Sequence, residues 1–231
     1  IKAQQRYARQ LAAHMNPYTG LTYADNNAII AIEINNEPCH SGMEKEVTAY
    51  IDRMAHALRK AGFDKPILYN VTHNPGVTTA YYAAKDIDGT TYQWYPTGLV
   101  KGSMRRGNFL PALDSYDIPF DTVPGFAAQP KLIYEYDPAD VLDTYLYPAA
   151  ARTFRKAGLD WVTQFAYDPV DMARFNSEYQ THFLNLAYTP GKAIGMAIAA
   201  EVMRKTPVGK DYGKYPADTV FGDFTVSARR N

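Results

Sequence analysis

Ala28-Ile29-Ile30-Ala31-Ile32-Glu33-Ile34-Asn35-Asn36-Glu37-Pro38 decides how this chain is read. It opens apolar and β-branched, which predicts a strand buried on both faces. It closes on two amides, a carboxylate and a proline. Proline has no N–H to give to a sheet ladder, so the strand must end there. The polar groups are then displayed at the strand's carboxyl end, where α/β folds bind ligands and carry out chemistry.

The rest of the chain repeats this pattern. Pro66 to Val71, Thr90 to Tyr95, Lys131 to Tyr136 and Trp161 to Tyr167 read as further strands. Helical periodicity falls between them. Ile1 to Met15 reads as a helix with no visible N-cap, so the native chain is expected to extend upstream. Glu44 to Ala61 places Val47, Tyr50, Ile51, Met54 and Leu58 on one face and ends at Gly62, a good left-handed cap. Shorter helices are expected around Thr79 to Lys85, in Ala139 to Ala157 with Pro148 kinking or restarting it, from Ser177, and from Thr189-Pro190. Arg59-Lys60-Ala61-Gly62-Phe63-Asp64 and Arg155-Lys156-Ala157-Gly158-Leu159-Asp160 are two versions of one junction, a capped helix feeding a buried strand. A repeated strand–helix unit implies a parallel sheet with helices outside it. Thr97 to Pro130 has weak periodicity. It is expected to be a lid or binding loop, or an irregular helix with connectors. Val220 to Ala228 alternates apolar and polar residues, as a strand with one wet face does.

Composition narrows the function. With 24 basic and 24 acidic side chains in 231 residues, nothing points to nucleic acid or an anionic membrane as partner. No apolar run is long enough to span a bilayer. Cys39 is the single cysteine, which excludes an internal disulfide and cysteine-based metal sites. No two histidines show metal-ligand spacing, and neither a metal nor another cofactor is expected. The 19 tyrosines offer flat apolar faces with polar tips, suited to partly wet polar ligands such as sugars.

Four strands end in polar or aromatic groups near a proline: Asn35-Asn36-Glu37-Pro38, His73-Asn74-Pro75, Trp94-Tyr95-Pro96 and Tyr134-Glu135-Tyr136-Asp137-Pro138. Two of them carry glutamates, Glu37 and Glu135. Facing carboxylates are what glycoside hydrolysis needs, one to protonate the leaving oxygen and one to attack the anomeric carbon or activate water.

At this point the chain resembles the second half of a clan A glycoside hydrolase, a retaining (β/α)8-barrel (TIM-barrel) enzyme. Asn36-Glu37-Pro38 matches the Asn-Glu-Pro motif that closes the fourth strand of that clan. Glu135 in Leu132-Ile133-Tyr134-Glu135-Tyr136 matches the glutamate at the end of the seventh. The Asn16 to Leu21 turn is also similar to turns before the fourth strand in some members. The resemblance covers about residues 1–206 and implies an α/β fold, an incomplete barrel of about strands 4–8. Residues 207–231 are expected to be a linker and the first strand of a C-terminal β-sandwich-like domain.

By this resemblance Glu37 is the acid/base and Glu135 the nucleophile. The substrate contacts would be Asn36, His73, Trp94, Tyr95 and Tyr167, with Tyr95 or Trp94 orienting Glu135 or forming a sugar platform. The expected partner is an oligosaccharide or polysaccharide, with the missing N-terminal part of the same barrel as a second. The expected location is extracellular or periplasmic. A non-catalytic carbohydrate-binding barrel and a metal-dependent barrel hydrolase are the alternatives. Other residues have plainer expectations. Trp161 reads as core, Glu33 as a buried ion-pair partner, Cys39 as a small buried filler or pocket lining, and Asp137 and Asp168 as turn formers. His14, His40, His56 and His182 read as structural or superficial.

Overall fold

A computed structural model describes residues 1–71, 79–98, 104–118, 127–175 and 184–228. Among them the strands are β1 (Ile32–Glu33), β2 (Ile67–Asn70), β3 (Gly89–Trp94), β4 (Lys131–Tyr136) and β5 (Trp161–Gln164), in sheet order β1-β2-β3-β4-β5. The described ladders β1/β2, β2/β3 and β4/β5 are all parallel. Helices alternate with the strands: α1 (Lys2–Ala12), α2 (Glu44–Arg59), α3 (Thr79–Ala83), α4 (Leu146–Lys156), α5 (Val170–Ala173) and α6 (Pro190–Lys205). The chain divides into two compact units, Ile1–Tyr92 with Phe120–Lys131, and Gln93–Pro119 with Leu132–Asn231.

In the first unit α2 buries Val47, Ile51, Met54 and Leu58, the face its periodicity predicts, together with Ala55 and Ala57. β2 is buried at all four positions. β1 differs from expectation. Its ladder is two residues long and both are half-buried. The reason is an open apolar groove of about 340 Å³ lined by Tyr7, Leu11, Ile32, Ile34, Met54 and Leu58, so one side of β1 faces solvent. Gly89 at the start of β3 is required by close approach. A Cβ there would lie 2.5 Å from the Pro130 carbonyl oxygen.

In the second unit α4 packs on α6. Gly195 of α6 makes room for this, because a Cβ there would meet the Thr144 carbonyl oxygen at 2.8 Å. Pro148 neither kinks nor restarts the helix. It sits in the first turn of α4, where an N–H has no intrahelical partner to lose. Trp161, expected in the core, is 48% exposed at the start of β5. The Thr97 to Pro130 stretch holds a 3-10 turn at Leu110–Leu113, and its remaining described residues form no other helix until Ala127. The helix expected from Ser177 lies outside the described residues. Val220 to Ala228 is not one strand but a tight hairpin, β6 (Val220–Phe221) with β7 (Phe224–Thr225). Arg152 of α4 bonds the Asp218 carbonyl and lies 3.6 Å over the Tyr215 ring, so the tail belongs to the compact unit of α4.

The repeated junction shares its glycine cap and one arginine bond in both copies. Gly62 and Gly158 adopt φ +87° and +85°. Phe63 N–H bonds the Leu58 carbonyl and Leu159 N–H bonds the Phe154 carbonyl, closing each helix end. Arg59 and Arg155 each reach forward to a carbonyl four residues on, Phe63 at 2.9 Å and Leu159 at 3.3 Å. Only the first of the two feeds a buried strand, since β5 is exposed or half-buried throughout.

Candidate functional site

Glu37 stands four residues past the end of β1 and is exposed, as is Asn36. Its backbone is left-handed, with φ +43°. A side chain there costs about 1–3 kcal/mol, so surrounding contacts must hold it. One does. Glu37 N–H donates to Asn70 Oδ1 at 2.8 Å. Asn70 is fully buried at the end of β2, and its amide donates to Thr91 Oγ1 at 3.0 Å. The Thr91 hydroxyl in turn donates to the Glu33 carboxylate. Glu33 is half-buried.

A second group lies on the other side of β2, because Tyr69 and Asn70 are consecutive and strand side chains alternate. His40 Nε2 is 2.8 Å from Tyr69 Oη. Asn35 Nδ2 donates to Tyr50 Oη at 2.9 Å and Tyr69 Oη at 3.3 Å. The His40 ring lies 5.9 Å from the Tyr50 and Tyr69 rings and 6.4 Å from Tyr81. Burial lowers the His40 pKa. It raises Tyr69 and pushes Tyr81 up to about 12. Cys39, expected as a filler or pocket lining, is exposed.

The second unit presents Glu135. β4 and β5 pair Ile133 with Val162 but Tyr136 with Gln164, so β4 carries one extra residue between the two pairs. This is a β-bulge, and Thr163 Oγ1 closes it by donating to the carbonyls of Ile133 and Tyr134. The burial pattern resets at the bulge, with Ile133 and Tyr136 buried and Tyr134 and Glu135 both half-buried. Tyr95 Oη donates to Glu135 Oε1. Tyr134 Oη donates to Gln93 Oε1 at 2.8 Å. Gln93 and Tyr95 are two apart on β3 and its extension, hence on one face. The Tyr95 pKa is raised, first by burial and then by the Glu135 carboxylate, so Tyr95 remains a donor at any working pH.

Trp94 is placed differently from Tyr95. Its ring lies 5.2 Å from Phe154 of α4, 6.2 Å from Tyr136 and 5.1 Å from Tyr116, within the helix-facing aromatic packing. Tyr167 is 52% exposed and bridges to Leu184. His73 lies outside the described residues. Asp137, expected as a turn former, is fully buried. It accepts from Tyr147 Oη at 3.1 Å and Gln164 Nε2 at 2.6 Å. Near it is Lys192 of α6, whose pKa burial lowers while the Asp137 and Asp140 carboxylates act in the opposite direction. Among the described residues no group of three or more His, Cys, Asp or Glu could hold a metal ion, and no helix is long and apolar enough to cross a membrane.

Sequence reasoning gave no role in the site to Asn35, His40, Tyr69, Asn70, Gln93 or Tyr134, although Asn35 and Tyr134 stand in the strand ends it singled out. Asn70 and Tyr134 did carry a signal, since each is a polar or aromatic residue at the end of a strand. His40 carried none, because its partner is 29 positions away.

Neither a protein-family model nor a curated protein matches this sequence. Solved structures do. The endo-1,4-β-mannanase from Rhizomucor miehei superposes with a TM-score of 0.61 at 16% identity, over 87% of this chain and 61% of that one. The endo-β-1,4-mannanase from Thermotoga petrophila gives 0.62 at 14%, over 90% and 51%. A glycoside hydrolase family 5 mannosidase from Rhizomucor miehei gives 0.58 at 13%, over 87% and 58%. The chain therefore spans between 51% and 61% of the length of these structures. At this identity the likeness establishes the fold alone, that of part of a (β/α)8 barrel.

Proposed function

We propose that the protein is a retaining glycoside hydrolase that cleaves a β-linked glycan by double displacement. Glu135 is the nucleophile. Its carboxylate attacks the anomeric carbon, the glycosidic C–O bond breaks, and Glu37 gives its proton to the leaving oxygen. Glu37, now a carboxylate, takes a proton from water. The resulting hydroxide attacks the anomeric carbon and releases Glu135. Tyr95 holds the nucleophile, and Asn36 contacts the hydroxyl next to the anomeric carbon. No cofactor takes part.

The observation that supports this most is the placing of the two glutamates in a fold shared with mannanases. Glu37 follows β1 and Glu135 is the penultimate residue of β4, each at the carboxyl end of a parallel strand. The reading requires carboxyl groups about 5–5.5 Å apart. Because two of the structural neighbours are β-1,4-mannanases, β-1,4-mannan is the first glycan to try. A polysaccharide substrate places the protein outside the cell or in the periplasm. The remaining barrel strands would then come from further polypeptide.

The test uses activated aryl β-glycosides and the intact protein. Glu135→Gln should abolish turnover. Glu37→Ala should lower it by about 10²–10⁴-fold, with azide restoring rate and yielding the β-glycosyl azide. Normal hydrolysis by either variant would defeat the proposal. Sugar binding without any product would instead favour the non-catalytic carbohydrate-binding barrel.

A further inference from the structure

We propose that His40 is a positioning residue for Glu37, which it holds by clamping the far end of the loop that carries the acid/base. This rests on the reading of Glu37 given above. The segment Glu37–His40 is fastened at both ends to the end of one strand, once on each of its faces. At the first end the Glu37 amide is fixed by Asn70 Oδ1 at 2.8 Å. At the second the His40 ring is fixed by Tyr69 Oη at 2.8 Å. Between them Pro38 is buried and its ring fixes φ, so little freedom is left in the loop.

The chemistry of the clamp follows from its partners. Asn35 donates to the Tyr69 oxygen. In the tautomer of a neutral imidazole that carries its proton on Nδ1, His40 Nε2 accepts the Tyr69 hydroxyl hydrogen. Three tyrosine rings enclose that imidazole. Tyr69 itself is fully buried, so losing this acceptor would leave a buried hydroxyl without it. The need for a clamp comes from Glu37. Its left-handed backbone is not one that a glutamate adopts unaided, and a slack loop would let it relax and carry the carboxyl away.

His40→Ala and His40→Gln test this in the intact protein, with Glu37→Ala as reference. Three readouts are needed: steady-state kinetics, amide hydrogen exchange across residues 35–40, and the reaction rate of Cys39, the chain's single thiol, with a disulfide reagent. His40→Ala should lower kcat by at least about tenfold while KM stays within about twofold, the pattern of a lost transition-state interaction. The Glu37 amide should exchange faster, and Cys39 should change its rate. His40→Gln keeps an acceptor for Tyr69 and should recover most of kcat and protection. The proposal fails if His40→Ala, with an unchanged circular dichroism spectrum, leaves kcat and Glu37 exchange as they were. It fails equally if His40→Gln is no better than His40→Ala. If Glu37→Ala turns over normally, the functional reading falls and takes the catalytic role of His40 with it. That result differs from the others because Glu37 itself would then be silent.

Discussion

Glu37 and Glu135 are each gripped at a different point of the residue. At Glu135 the protein grips the side chain. The residue sits within a strand, a bulge turns it to the half-buried face, and a tyrosine hydroxyl bonds its carboxylate. At Glu37 the grip is on the main chain. The amide is bonded by a buried asparagine, and the backbone is left-handed on a loop. The contrast fits the two roles proposed. A nucleophile must meet one carbon along one line, so fixing its carboxylate is useful. An acid/base gives a proton to one oxygen and takes it from another, so the main chain that carries it must be fixed at the strand end.

Three changes would break or sharpen this contrast. The largest effect is expected from Asn70→Ala, which takes the acceptor from the Glu37 amide and a donor from Thr91 together. It should cost about 2–3 kcal/mol in urea unfolding, as expected for a fully buried hydrogen-bonded group, and should impair turnover as well. An unchanged midpoint would mean that the main-chain grip is not needed. Next is Tyr95→Phe, which releases the Glu135 side chain alone. A bond to a charged acceptor is worth about 1.5–3 kcal/mol, so kcat/KM should fall roughly tenfold to a hundredfold. Stability should change little, because Tyr95 is only half-buried. If Tyr95→Phe proved as destabilising as Asn70→Ala, the division into side-chain and main-chain holds would fail.

The smallest effect concerns pH. The folded-state pKa of His40 lies below the ordinary 6.5 because burial disfavours the charged ring. The folded protein therefore takes up that proton less readily than the unfolded chain. The stabilisation is present above pH about 6.5 and is lost as pH falls through the lower folded value. The rings facing His40 are Tyr50, Tyr69 and Tyr81, and Tyr69 and Tyr81 are both pushed further from ionising. Melting temperature should thus drop between pH 7 and pH 5 in the parent by more than it does in His40→Gln. Equal slopes would refute the assignment.

Much of the fold was legible because it is written locally. Lys131 to Tyr136 was readable to the residue, since an apolar run is bounded by prolines on both sides. β1 was over-read for the same reason. Its apolar run implied burial on both faces, and nothing within eleven residues could reveal an open groove beside it. Glu37 and Glu135 stood out because carboxylates at strand ends are conspicuous. Their supports did not, because they depend on distant pairings or on backbone geometry. A bulge at Tyr134–Glu135 leaves no mark in a run of alternating residues, and a left-handed glutamate looks like any other. Trp161 misled because bulk and apolarity were taken as burial, whereas its neighbourhood on β5 is open.

The paired Arg-Lys-Ala-Gly junctions have a consequence for how such a chain can change. Each closes its helix end with the same two short-range bonds, while Arg59 also holds Asp88 and Arg155 also holds the Thr206 carbonyl, and one copy lies in each compact unit. A joint whose helix cap is built from its own residues can be cut and rejoined with the register kept, provided the exchanged segment supplies the partner of its arginine. These two points are therefore natural seams for recombination. Exchanging the segment that begins at Phe63 or at Leu159 with an equivalent from another protein of this fold should disturb folding less than a cut of equal length placed after a strand.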